Sequence, residues 1–345
     1  MPARTATPFP LIDLHVHLEG SISRSTLAIL AARHGLPVPR TDAFAGFHGF
    51  LKAFGAVCDL LVDERDFERA ADDLFARSRR IGVAHMEVLF SPQVFLRRGI
   101  ALATIMGGLL TARCRAMTAT GLSVVYIMDG VRQWGGGWFR DVVRASAPWA
   151  GSGLAGIGVG GDEASVPARE FSDAFRAARE LGLRTTIHAG EAAGPEAVRQ
   201  ALEQLRVHRI GHGVRSAEDP SLVRRLASSG ICLELCPSSN VATGVVDSWP
   251  THPLRRLFDA GVTVTVNSDD GAFFATDVAR ELEKARRIQR FTKSELMSLQ
   301  LNAARNAFLG RRETKMLAQR VTRAWSLANP EGARTRGERP PLASG

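Results

Sequence analysis

Short apolar runs recur along the chain, and the stretches between them place their apolar residues at helical spacing. The runs fall at 11–16 (LIDLHV), 83–90 (VAHMEVLF), 122–129 (LSVVYIMD) and 154–160 (LAGIGVG). Four more fall at 183–188 (LRTTIH), 208–212 (HRIGH), 231–236 (ICLELC) and 262–267 (VTVTVN). Near-continuous apolar runs of this length suit strands buried on both faces. The intervening REFSDAFRAARELG (169–182) and PSLVRRLASSG (220–230) read as helices, the second with Pro at its start and Gly at its stop. Eight strands alternating with helices predict a parallel α/β fold, a (β/α)8 TIM-type barrel. The competing open doubly wound sheet calls for a G-x-G-x-x-G turn after the first strand, and none is present. The Gly-rich GIGVGGDE (156–163) has its glycines within and at the end of a strand.

Two segments fall outside the alternation. Residues 42–80 read as two helices inserted after the first strand, and 293–328 as two further helices at the C-terminus. Residues 1–9 and 329–345 lack core-forming periodicity and read as flexible tails around one barrel spanning 10–328. The chain of 345 residues is 45% hydrophobic and 23% charged, enough for a sizeable core. Its net charge of +9 comes mostly from Arg spread over helical segments, and aromatics make up only 7%. No basic run is interleaved with aromatics, so the charge reads as a solvated exterior and nucleic acid is not expected as a partner. Four cysteines, Cys58, Cys114, Cys232 and Cys236, form no C-x-x-C pair. With no leader-like start and no bilayer-length apolar run, the expectation is a cytoplasmic protein with free thiols.

The chemistry concentrates at strand ends. His15 and His17 alternate on the first strand and so share a face. The fifth strand ends at His188, followed by Ala189, Gly190 and Glu191. The sixth ends at His212 between two glycines, and the eighth runs into Asp269 and Asp270. One such residue is ordinary; four polar strand ends of ligand or acid–base type on one rim predict a site at the C-terminal mouth of the barrel. His15, His17, His188 and Asp269 are the expected ligands of a metal with an open position for water. His34, His48, His85, His208 and His252 are read as structural.

These motifs resemble the adenosine deaminase family of metal-dependent amidohydrolases. The matching pieces are LHVHLEGS (14–21), GGDE (160–163), HAGE (188–191), RIGHG (209–213), CPSSN (236–240) and NSDDG (267–271), in the family's order. FHGFLKAFGAV (47–57) is similar to the family's helical lid. The resemblance implies one Zn²⁺ per chain on His15, His17, His188 and Asp269. It implies that Glu191 protonates purine N1, and that His212 orients and deprotonates the zinc water. Asp270 would bond N7 and the Gly161 backbone N–H would reach N3, with a 6-aminopurine as substrate and ammonia as product. Two-metal relatives need a strand-end lysine; Lys52, Lys284, Lys293 and Lys315 all lie off the predicted strands. Cytidine-type zinc deaminases need a P-C-x-x-C pair, which is missing.

Glu19 stands where the family's adenosine enzymes carry an Asp facing the sugar. EVLFSPQVF (87–95) mixes features of the nucleoside and adenine branches, and CPSSNVATG (236–244) leans to the nucleoside branch. The resulting order of expected substrates is adenosine, then aminodeoxyfutalosine, then free adenine. A catalytically silent purine-binding relative is the non-enzymatic alternative. Such a relative would have lost a ligand or the acid, and this chain keeps both. Phe50, Leu51 and Phe54 share one face of the lid helix, which reads equally as pocket wall or as core packing.

Overall fold

The computed structural model describes residues 9–328 apart from residues 43 and 45, and leaves out the side chains of residues 47, 48 and 328. The expected tails thus lie outside the described residues except for Phe9. Phe9 belongs to the core, 5% exposed, its ring 6.1 Å from that of Trp325. The strands are β1 (Leu11–His17), β2 (Val83–Phe90), β3 (Ser123–Val131), β4 (Leu154–Gly160), β5 (Arg184–Thr185), β6 (His188–Ala189), β7 (Arg209–His212), β8 (Cys232–Leu235) and β9 (Val264–Val266). They form two ladders, β1-β2-β3-β4-β5 and β6-β7-β8-β9, and every pair is parallel.

The expected fifth strand is divided because its two halves serve different neighbours. Thr186 N donates to Ile157 O on one side, and Ile187 O accepts from Gly211 N on the other, both at 2.9 Å. At the far end Asp269 N donates to His15 O at 2.9 Å and His17 N to Asp269 O at 3.2 Å, beside a parallel bridge between Val16 and Asp269. These links carry eight strand positions around a ring, the arrangement of a (β/α)8 barrel.

Between β1 and β2 lie α1 (Arg24–His34), α2 (Gly46–Cys58) and α3 (Glu64–Arg80). The last two are the helices expected in 42–80. Ser23 accepts from Thr26 N to cap α1, and Asp63 with Asp66 forms a capping box on α3. The two C-terminal helices are Lys293–Asn306 and Arg311–Ala328, the first with a Thr292/Glu295 capping box. No helix of the described residues is long and apolar enough to cross a membrane.

The barrel encloses a buried ionic group centred on Arg209. Arg209, on β7 and 1% exposed, sends Nη2 to Glu87 Oε2 of β2 at 2.6 Å and Nε to Glu234 Oε1 of β8. Its guanidinium lies 3.5 Å over the Phe308 ring, and Nη1 donates to Asn306 O at 2.6 Å. One cation between two carboxylates offsets the desolvation that a lone buried charge would suffer. The same group ties the C-terminal helices to the barrel, because Glu87 also accepts from Phe308 N.

Candidate active site

Three imidazoles meet where β1 and β6 end. His15 Nε2 and His17 Nε2 lie 3.1 and 3.3 Å from His188 Nε2. Asp269 Oδ1, just past β9, is 3.5 Å from His17 Nε2 and 3.9 Å from His15 Nε2. Ligands at zinc–nitrogen distance on a tetrahedron stand about 3.3 Å apart, so these nitrogens have the spacing of ligands around one ion. Burial pushes His17 down to about 3 and His188 well below the usual imidazole range. Both rings are thus neutral and present lone pairs.

Burial also opposes charge on His15, but Glu234, accepting from Nδ1 at 2.8 Å, lifts it to about 9. The pull of Glu234 and Asp269 is for positive charge at this point, which a cation on Nε2 supplies. His188 Nδ1 donates to Val159 O at 3.2 Å, which fixes the ring with Nε2 inward. Burial opposes ionisation of Asp269, yet His212, His15 and His17 hold its carboxyl below the usual range. Neutral nitrogen donors with an ionised carboxylate fit a divalent metal of the zinc type.

A cavity of about 220 Å³ opens onto this cluster. Of the residues singled out from sequence, all but His15 and Glu19 line it. His15 lies beneath, fully buried. Glu19, expected on the substrate, does not line the cavity: from the short turn Glu19–Ser21 its Oε1 accepts from the Ser91 backbone N–H at 2.8 Å, and its Oε2 is buried without a partner. Ser91 stands at the wall in its place. Glu191 is pushed up to about 8, first by burial, then by Asp269 and Glu163, so it keeps its proton at neutral pH.

Burial and Asp269 hold the Asp270 carboxyl well above its ordinary value too, and its Oδ1 is buried with no partner. Gly20 makes room for it, since a Cβ there would run into Asp270. His212 Nε2 is 3.6 Å from Glu191 Oε2 and 3.8 Å from Asp269 Oδ2. Gly161 lines the cavity at φ +99, and Phe50 and Phe54 form part of the α2 wall. Their rings also pack on Phe273 at 5.3 and 6.4 Å, so the stripe is pocket wall and core at once.

Several neighbours of these residues were not singled out from sequence. Glu163, the last residue of GGDE, accepts from the backbone N–H groups of Gly190, Glu191 and Ala193 and so holds the turn that carries Glu191. Glu234 and Arg209 form the support behind His15 described above. Asp129 at the end of β3 lines the cavity, 3% exposed, with Oδ1 unpartnered. It occupies space left by two glycines: a Cβ on Gly158 would lie 2.5 Å from Oδ1, and one on Gly160 2.6 Å from Oδ2. Asn240 and His252 stand behind His212. His34, His85 and His208 are hydrogen-bonded as structural residues, to Asp66, Ser123 and Thr185.

The model of the family described as "Adenosine deaminase" matches residues 10–324. An adenine deaminase of Streptomyces coelicolor is 36% identical over 316 residues, 89% of this chain and 92% of that protein. An aminodeoxyfutalosine deaminase of Acidothermus cellulolyticus is 36% identical over 294 residues, 81% of this chain and 83% of that protein. The crystal structure of an adenine deaminase from Arthrobacter aurescens superposes with a TM-score of 0.88 at 31% identity, covering 93% of this chain and 100% of that one. An amidohydrolase from Burkhoderia ambifaria, solved with bound Zn, gives 0.84 at 27% identity over 94% and 93% of the two chains. Matched over nearly its whole length in this way, the chain belongs to the adenosine deaminase family of metal-dependent amidohydrolases and is an enzyme of the deaminase class.

Proposed function

We propose that the chain hydrolyses the 6-amino group of a purine, with free adenine as the principal substrate and hypoxanthine and ammonia as products. The observation that carries this reading is that Glu191, Asp270 and Gly161 line one cavity beside the ligand cluster. Burial favours the protonated form of both carboxyls, and with the Gly161 backbone N–H they would donate to the acceptor nitrogens N1, N7 and N3 of a purine. A divalent metal on His15, His17, His188 and Asp269, zinc in this reading, supplies the Lewis acidity that makes water a nucleophile near neutral pH. Attack at C6 moves electron density onto N1. Glu191 hands its proton to N1 as that charge develops, a contribution of roughly 10²–10⁴ in rate. The α2 wall with Phe50 and Phe54 shields the reacting edge from bulk water.

Adenosine led the expectations from sequence, and the adenine reading displaces it for two reasons. The curated relatives described above are named for adenine and aminodeoxyfutalosine. Glu19, the residue expected at a ribose, is not among the residues that line the cavity. Aminodeoxyfutalosine is the second reading; Trp134 on the cavity wall, with Arg97 stacked 4.6 Å over its ring, offers a surface for an aromatic substituent. Ammonia release from adenine, adenosine, deoxyadenosine and aminodeoxyfutalosine tests both. We expect kcat/KM for adenine to exceed that for adenosine by at least about 100-fold, the discrimination available to a well-matched polar site. A preference for adenosine would reject the reading.

A further inference from the structure

Behind His212 runs a buried chain of side chains to which the proposed reaction gives no role. The Leu254 backbone N–H donates to His252 Nδ1 at 3.1 Å. His252 Nε2 is 3.2 Å from Asn240 Oδ1, and Asn240 Nδ2 is 3.1 Å from His212 Nδ1. All three side chains are buried.

The direction of the chain follows from its first link. A backbone N–H can only donate, so His252 Nδ1 accepts and bears no proton. Burial keeps the ring neutral, pushed down to about 3, so its one proton is on Nε2. That proton needs an acceptor, which orients Asn240 with Oδ1 towards His252 and its NH₂ towards His212. An amide NH₂ can only donate. His212 Nδ1 is therefore an acceptor, and the proton of this neutral ring is on Nε2. Nε2 is the atom that faces Glu191 and Asp269.

We propose that Asn240 and His252 are positioning residues that lock His212 in its Nε2–H form, so that His212 donates a hydrogen bond into the reaction space and does not accept a proton there. The catalytic consequence rests on the deaminase reading. His212 would hold the attacking water through a water lone pair and steady the oxygen as charge develops, as a neutral imidazole can. This replaces the expectation that His212 deprotonates the water. The proton would go to a carboxylate, and Asp269 Oδ2, 3.8 Å from Nε2, faces the same space.

The test is long-range ¹H–¹⁵N NMR of the zinc-loaded protein labelled at histidine, with His212→Gln to assign the signals. We expect His212 with its proton on Nε2 and Nδ1 accepting. Asn240→Asp presents only acceptors to both rings and draws the His212 proton to Nδ1. We expect that reversal, unchanged zinc content, kcat lowered at least about 100-fold and KM within about threefold. His252→Phe frees the Asn240 amide to turn and should lower kcat about tenfold, with mixed tautomers in the spectrum.

A wild-type spectrum with the proton on Nδ1 overturns the proposal. So does an Asn240→Asp protein that shows the reversed tautomer at wild-type kcat. If Asn240→Asp fails to fold, the wild-type spectrum and His252→Phe decide. A wild-type protein with Nε2–H that deaminates no 6-aminopurine leaves the lock standing and overturns the deaminase reading instead.

Discussion

The barrel has a long-stranded half and a short-stranded half. β1 to β4 run seven to nine residues each, and β6 to β9 only two to four. The long half supplies the continuous ladder, along with His15 and His17. Most of the proposed site sits on the short half: His188, Glu191, His212, Asp269 and Asp270 all line the cavity. β7 stops at His212, and the chain past β9 turns at Asp269, for a local reason. His212 and Asp269 have φ of 58 and 59, a left-handed backbone that a ladder cannot continue through. Such residues cost of order 1–3 kcal/mol each and persist where the surroundings hold them. The short half gives up regular pairing so that its side chains turn into the mouth, and the long half keeps them in register.

Breaking the short half at its ligands should have the largest effect. His188→Ala should lose metal and turnover together, read by elemental analysis and ammonia release; a metal content still near one per chain would remove His188 from the ligand set. Glu191→Gln, three residues on, should keep its metal and substrate affinity while kcat falls at least about 100-fold. The acid also sets a pH limb. As the proposed acid Glu191 would act while protonated, and burial raises it to about 8. Wild-type kcat/KM should therefore be level below that point and fall tenfold per pH unit above it. Glu191→Gln should lack this limb, and its persistence there would assign it to another group.

Arg209 joins the halves, reaching from β7 to Glu87 on β2 and Glu234 on β8. Arg209→Met leaves two buried carboxylates without a counter-charge. We expect a loss of about 3–5 kcal/mol in urea unfolding, and about 10–100-fold weaker metal binding as Glu234 releases His15. A drop in stability with unchanged metal affinity would separate the core role from the site role. The smallest effect is expected outside the barrel, on α2. Phe54→Ala should raise KM several-fold while shifting Tm by only a few degrees, because Phe54 is half-buried and its neighbours can close in.

The eight strand positions were legible because buried strands write themselves as apolar runs, and the members of the His/Asp cluster because they stand where those runs end. Strand lengths were less legible. The run 262–267 is apolar enough for six residues, yet β9 spans only Val264–Val266. The supporting acids were hidden for a different reason. Glu87 and Glu234 read as single interruptions of apolar runs, and their partner Arg209 lies 122 and 25 positions away along the chain. The spacing of a local motif carries no trace of such a pairing. His252 and Asn240 were hidden likewise: a histidine in a Pro-flanked loop and an asparagine on a short helix acquire meaning only through the order of donors and acceptors that links them.

The fit of Asp129 into the hollow beside β4 bears on how this barrel can change. A side chain at 158 or 160 would meet the carboxylate at 129, so one of them has to shift. The three positions form a single coordinate in sequence space. A survey that varies them one at a time would see the crowding at 158 and 160 and miss the exchange that moves the carboxylate from one strand to the next. Redesign of the cavity floor therefore has most room when 129 and 158 change in the same step.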